Sequence, residues 1–141
     1  MPILNYTTTI DVEKTMGEIN RALARRGVTR ISTLYDDHGV AAGLAFTMKT
    51  DYGVRDFELP VRTDGVLAAM KADPAVKPAQ KNTAQAARVA WRIAKDWLEA
   101  QAALIDAQLA TLDEVMLPYM VDGGGQTMYA VYRSTQKAIG A

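Results

Sequence analysis

Apolar positions recur at two different periods along this chain, and the switches between them predict its elements. Over residues 12–23, Val12, Met16, Ile19 and Leu23 fall three or four apart, the spacing of one helical face. Asp11 stands ahead of them as an N-cap and Gly27 beyond them as a stop, although Lys14 occupies the place where a capping box would put Glu. Arg21, Arg25 and Arg26 gather at the C-terminal end of that helix, where exposed carbonyls favour cations. Ahead of the helix, "LNYTTTI" is rich in β-branched residues and reads as a short strand.

The period then shortens to two. "TRISTLYDD", "VAAGLAFTMKT" and "VRDFELPV" read as three strands of a meander, turning at Asp37-His38-Gly39 and around Asp51-Tyr52-Gly53, residues that tolerate positive φ. Leu44, Phe46 and Met48 alternate toward one face, as do Val54, Phe57 and Leu59 with an irregularity near Asp56. A short helix over 64–72 follows, and the two prolines of "DPAVKPAQ" mark a linker.

Helical spacing returns with Asn82 or Thr83 as cap and extends toward residue 110, a run of roughly 28 residues and about 42 Å. That exceeds the roughly 30 Å across a small domain, so the helix either bends around its own sheet or, the favoured reading, pairs with another subunit to make a homo-oligomer. Beyond it come a capped turn at "TLDEV", an extended piece at "LPYMV", a flexible triple glycine and a short final helix. The expected fold is α+β: a small antiparallel sheet of three to four strands, an N-terminal helix and a long C-terminal amphipathic helix. One domain over 1–141 accommodates it, with an α/β part at 1–73, a linker at 74–81 and a helical part at 82–141.

Composition narrows the chemistry. A hydrophobic content of 49% in 141 residues suffices for a real core. Sixteen basic and sixteen acidic residues cancel, so no global field draws in nucleic acid or membrane. A small anion needs only two or three local cations. The absence of cysteine excludes disulfides, thiolate catalysis and thiolate-held zinc, and suits a reducing compartment. No basic, apolar leader opens the chain, and no window approaches the roughly 18 apolar residues of a membrane span. The expectation is a cytoplasmic protein with no membrane partner.

The candidate chemistry lies in "RVAWRIAKDWLEAQ", residues 88–101. At about 100° per residue, Arg88, Arg92, Lys95 and Glu99 share a narrow stripe with Asp106 on the same line. Val89, Ile93, Trp97, Leu98, Leu104 and Ile105 spread over the other side, and Trp91 falls at the boundary beside Arg88 and Lys95. Two readings stand open. The stripe is a solvated face laced by the pairs Arg92–Asp96 and Lys95–Glu99, each worth about 0.2–0.5 kcal/mol. Alternatively, Arg88, Arg92 and Lys95 wall an anion pocket in which Trp91 offers a stacking surface, with Tyr119 and Arg133 contributed from the C-terminal part. Those six residues are the candidate ligand-binding set; no catalytic residue, metal or cofactor is expected.

Other groups carry less. His38 sits in an Asp36-Asp37-His38-Gly39 turn, which reads as a hairpin tip because adjacent turn residues seldom converge on one ion. Ser32 and Ser134 lack a nucleophile-elbow setting, and Asp11, Glu13, Asp113 and Glu114 show no pairing that would tune an acid against a base. "DGGGQT" lacks the Gly-Lys-Ser/Thr ending of a phosphate loop.

Several phrases together, "YTTTIDVEKTMGEINRALARRG", "YDDHGVAAGLAF", "FELP", "AARVAWRIAKDWLEAQ" and "LPYMVDGGGQTMY", resemble a family of small tailed-bacteriophage and prophage proteins with no assigned activity. The resemblance spans nearly the whole chain; it implies a setting and carries no catalytic residue over. Small phage accessory proteins of this kind are commonly inhibitors, helpers of DNA metabolism or sponges for host immune nucleotides. The chain is similar in plan to sponge families that combine an antiparallel sheet with C-terminal helices. The function expected from residues and setting together is non-enzymatic binding of a small phosphorylated nucleotide. Two alternatives accompany it. One is a nucleic-acid-binding helper, because the helix–three strands–helix order over 12–72 is similar to that of double-stranded-RNA-binding domains and Arg21, Arg25, Arg26 and Arg30 could track a backbone. The other is a protein-binding inhibitor of a host defence enzyme.

Overall fold

The computed structural model describes residues 3–140, the last four of them as backbone only. Three antiparallel strands, β1 (Val28–Tyr35), β2 (Ala41–Thr50) and β3 (Gly53–Pro60), form a meander in sequence order. Five helices accompany them: α1 (Val12–Ala24), α2 (Thr63–Ala72), α3 (Thr83–Asp106), α4 (Leu112–Met116) and α5 (Met128–Gly140). The α+β class, the N-terminal helix and the long helix in the C-terminal half are as the hydrophobic spacing predicts.

Local chemistry fixes the turns. Asp36 shapes the β1–β2 hairpin by accepting the amides of His38 and Val40 on Oδ1 at 2.8 and 2.9 Å, with Gly39 at φ +76°. His38 is thus part of a hairpin tip. Leu44, Phe46, Met48, Phe57 and Leu59 are buried on one face, where the Phe46 and Phe57 rings stack at 5.1 Å. Val54 departs from the expected series. The register pairs Phe57 with Phe46 and Val54 with Lys49, so Val54 has the opposite parity and stands exposed on the outer face. Beyond β3, Met120 bridges Phe57 and the Val121 amide donates to the Asp56 carbonyl at 2.8 Å, which lays a fragment of fourth strand along that edge.

Helix α3 is the centre of the molecule. Its cap is Asn82, whose side chain accepts the Gln85 amide, and it packs against both α1 and α2. Two hydrophobic clusters meet it. The larger, containing Ile19, Leu44, Phe46, Phe57, Trp91 and Met116, lies under the sheet. The smaller joins Ala86 and Val89 to Met70 and Val76, with Ile3 and Tyr6 against it. No residue from 85 to 98 is exposed. The helix is 24 residues long, shorter than its periodicity suggests, because the chain reverses at Gln108 in the left-handed region at φ +62°. Its exposed apolar residues are Ala84 in the first turn and Ala100, Ala103 and Leu104 toward the end.

One expectation fails for a tertiary reason. Residues 3–10 form a turn and an irregular strap across α3 instead of a strand. Asn5 lies at φ +65°, and the carbonyls of Tyr6 and Thr8 are both taken at 2.9 Å by Nε2 of Gln85. The triple glycine lies in a closed turn, where Asp122 Oδ1 accepts the amides of Gly124 and Gln126 and Gly125 adopts φ +81°. The "LPYMV" stretch begins as a 3-10 turn at Leu117–Tyr119 before its extended residues, and α5 packs against that turn. Among the described residues no helix is long and apolar enough to cross a membrane.

Candidate ligand-binding cleft

The cationic stripe of α3 turns toward α1. There Arg92 Nη1 donates to Glu18 Oε2 at 2.6 Å and to Thr15 Oγ1 at 3.2 Å. Lys95 Nζ lies 2.7 Å from Glu99 and 3.9 Å from Glu18, while Arg88 Nε donates to Gln85 Oε1 at 2.9 Å. The side chains of Arg92 and Lys95 are only 12% and 17% exposed. Lys95–Glu99 is the expected helical pair. Arg92–Asp96 is not formed, since Asp96 accepts instead from Asn5 of the strap at 2.8 Å. Burial pushes the Glu18 carboxyl up, but the hydrogen bond and charge of Arg92, with Lys95 and Lys14, outweigh it and hold Glu18 below the ordinary carboxylate value. The stripe is therefore a polar seam joining two helices. Arg92 and Lys95 are neutralised there by Glu18 and Glu99, while Arg88 is held by the neutral Gln85.

Trp91 requires a correction. It is 0% exposed, and its indole N–H donates to the Ala41 carbonyl at 3.0 Å beneath the sheet. It offers no face to a ligand. The helical wheel puts it at a boundary because that wheel assumes one wet side, whereas α3 is enclosed over this stretch by α1, α2 and the sheet. Arg133 lies exposed on α5, and Tyr119 belongs to the 3-10 turn on another flank of α3. The six candidates do not converge on one pocket.

Tyr119 does line a cleft, with partners that the sequence does not single out. Pro60 ends β3, Arg62 caps α2, Val66 follows one turn into α2, and Ile93 and Trp97 stand one turn apart on α3; together with Tyr119 they enclose about 310 Å³. Trp97 and Tyr119 meet edge to face, with ring centroids 6.2 Å apart and planes at 89°. Leu59, Val61, Ala90 and Ala94 complete an apolar floor, and Arg62 is the one charged group among the described residues that line it. Arg62 is exposed and has no ion-pair partner among the described residues. The i,i+4 spacing of Ile93 and Trp97 is a visible signal. Nothing local announces Arg62, which reaches the site because β3 ends at Pro60.

A second concavity, about 410 Å³ between α1 and α3, gathers Arg21, Arg25, Arg26 and Lys95 but also Glu18, Glu99 and Asp106. Arg26 is bound there to Asp106 at 2.8 Å and to the Ala22 carbonyl. Arg21, Arg25 and Arg30 are exposed without an acidic partner among the described residues. Those residues also include no group of three or more His, Cys, Asp or Glu side chains placed to hold a metal ion. Comparison with family models, curated proteins and solved structures finds no match for the chain.

Proposed function

We propose that this chain is a non-catalytic binding protein for a small phosphorylated ligand of the nucleotide class, held between α2, α3 and the 3-10 turn at Leu117–Tyr119. The observation that carries the reading is a cleft with an apolar floor, an indole and a phenol on its wall, and Arg62 as the one charge among the described residues that line it. A flat heterocycle fits the first two features, since an aromatic wall binds bases through their faces and edges. A guanidinium at the mouth presents paired donors to a phosphate. At about 310 Å³ the cleft lies at the lower bound of small-ligand sites, which run from roughly 300 to 1,000 Å³. The α1–α3 groove is the weaker site for a nucleotide, because no aromatic side chain is among the described residues that line it. In the phage setting that the sequence resembles, such a cleft would sequester a host immune nucleotide.

The test is a panel of mono-, di- and cyclic nucleotides in a melting assay. At a hundred times its Kd a ligand stabilises the fold by about 2.7 kcal/mol, and it should be recovered unchanged on denaturation. Arg62→Ala and Tyr119→Ala should each abolish the shift while Arg88→Ala leaves it intact. Equal protection of Arg62→Ala, Tyr119→Ala and the parent would reject the cleft.

A second reading rests on Arg21 and Arg25, one turn apart on α1, and on Arg30 in β1, all exposed and unpaired by acids among the described residues. These could contact a nucleic-acid backbone. For three phosphate contacts on duplex DNA the affinity would fall with salt at a log–log slope of about −3.

A further inference from the structure

The two edges of the sheet are treated differently. The β3 edge is capped by Met120 and Val121, whereas among the described residues nothing pairs with the outer edge of β1. We propose that β1 is a self-association strand: two copies of this chain pair antiparallel along it, about a two-fold axis at Thr33, to make one continuous six-stranded sheet.

Backbone parity identifies the groups on offer. The Asp36 amide bonds back to the Val40 carbonyl at 2.9 Å, so the alternate residues Tyr35, Thr33 and Ile31 turn their N–H and C=O outward. The register is uninterrupted on the β1 side over this stretch: Thr29 is the bulged residue at its start, and the shift between Leu34 and Tyr35 inserts its extra residue, Ala42, on β2. An axis at Thr33 sets Thr33 opposite its own copy and Ile31 opposite the partner's Tyr35. That closes about six backbone hydrogen bonds.

Side chains favour this register. On the outer face it sets Arg30 directly opposite Asp36 of the partner subunit, twice by symmetry. Arg30 is the only charged residue in β1, and Asp36 follows the strand immediately, so the segment is positive at its start and negative at its end. Such a strand attracts its own copy antiparallel and repels it in parallel. On the inner face Tyr35, 64% exposed, gains the partner's half-buried Ile31 as a neighbour. A second copy is thus a better occupant than an arbitrary strand. The edge carries no proline and a single charge, few of the devices that keep exposed edges apart.

Sedimentation analysis from micromolar to millimolar chain should show a species of twice 15.4 kDa. Thr33→Pro removes only an outward-facing N–H, which an edge strand tolerates, and should leave a folded monomer. Arg30→Glu alters an exposed side chain and turns the cross-strand pair with Asp36 into a repulsion. It should weaken the dimer at least tenfold, with the difference shrinking in high salt. In the parent, hydrogen exchange at Ile31, Thr33 and Tyr35 should slow as concentration rises. A parent that stays monomeric throughout overturns the proposal, as does a dimer whose Kd is unchanged by either substitution. Neither readout depends on the nucleotide cleft.

Discussion

Glu18 of α1 and Arg92 of α3 meet at 2.6 Å, and Thr15 accepts from the same guanidinium nitrogen at 3.2 Å. Arg92, with Lys95 3.9 Å from the same carboxylate, looks in the sequence like part of a ligand grip and instead holds α3 against α1. With Arg92 12% and Glu18 26% exposed, the pair is only partly screened by solvent. Removing the guanidinium leaves a carboxylate and a buried hydroxyl short of a donor. Arg92→Ala should destabilise the fold by about 1–2 kcal/mol, read as a lower urea midpoint, and leave nucleotide affinity unchanged. Loss of binding without loss of stability would return Arg92 to the ligand site.

The same pair sets a pH dependence. Burial raises the Glu18 pKa and the bonded Arg92 lowers it by more, so the folded-state value lies below the ordinary 4.5. A group whose pKa is depressed on folding stabilises the fold fully above its unfolded value and loses that contribution as pH falls through the folded one. The stability difference between the parent and Glu18→Gln should accordingly be largest near neutral pH and close progressively below about pH 4.5. A difference independent of pH would show that the hydrogen-bond geometry matters and the charge does not.

The features that were legible in the sequence are those decided within a few residues. The caps at Asn82 and Thr111, the Asp36 and Gly53 turns, and the alternation through Leu44, Phe46 and Met48 need no distant partner to be read. The misreadings of residues 3–10 and of Trp91 share a cause in elements far apart in sequence. The β-branched run near the N-terminus has strand propensity, yet its carbonyls meet Gln85 some eighty residues away, and Ile3 and Tyr6 bury against α3. Trp91 misleads because a helix covered by neighbours on several sides has no single wet face. The cleft is half visible in the sequence: Tyr119 is among the candidate residues, but Arg62 and Trp97 join it only once α2 docks on α3.

Gln85 ties the strap to α3. It is 4% exposed, donates to Tyr6 and Thr8 and accepts from Arg88, so its amide is fully used. In Gln85→Leu the two strap carbonyls can turn to water, which limits the loss to about 1 kcal/mol. The effect should be local. Hydrogen exchange over residues 3–10 should accelerate much more than exchange in β2, as expected when a peripheral segment opens below the global unfolding free energy. Uniform acceleration through the sheet would show the strap to be part of the main cooperative unit.

The two tryptophans report on different places and so separate fold from ligand. Trp91 is buried with its N–H on the Ala41 carbonyl, while Trp97 is half-buried at the cleft wall against Tyr119. Trp91→Phe strands a buried carbonyl and trims the core, at a cost of about 1–3 kcal/mol, but the surviving fluorophore still faces the cleft. That variant should keep ligand-dependent quenching. Trp97→Phe retains an aromatic wall and most of its stability, and its remaining emission, from Trp91, should be blue-shifted and indifferent to nucleotide. The opposite assignment of quenching would mean that ligand enters beneath the sheet, where the structure has Phe46, Phe57 and Trp91 in one close-packed cluster.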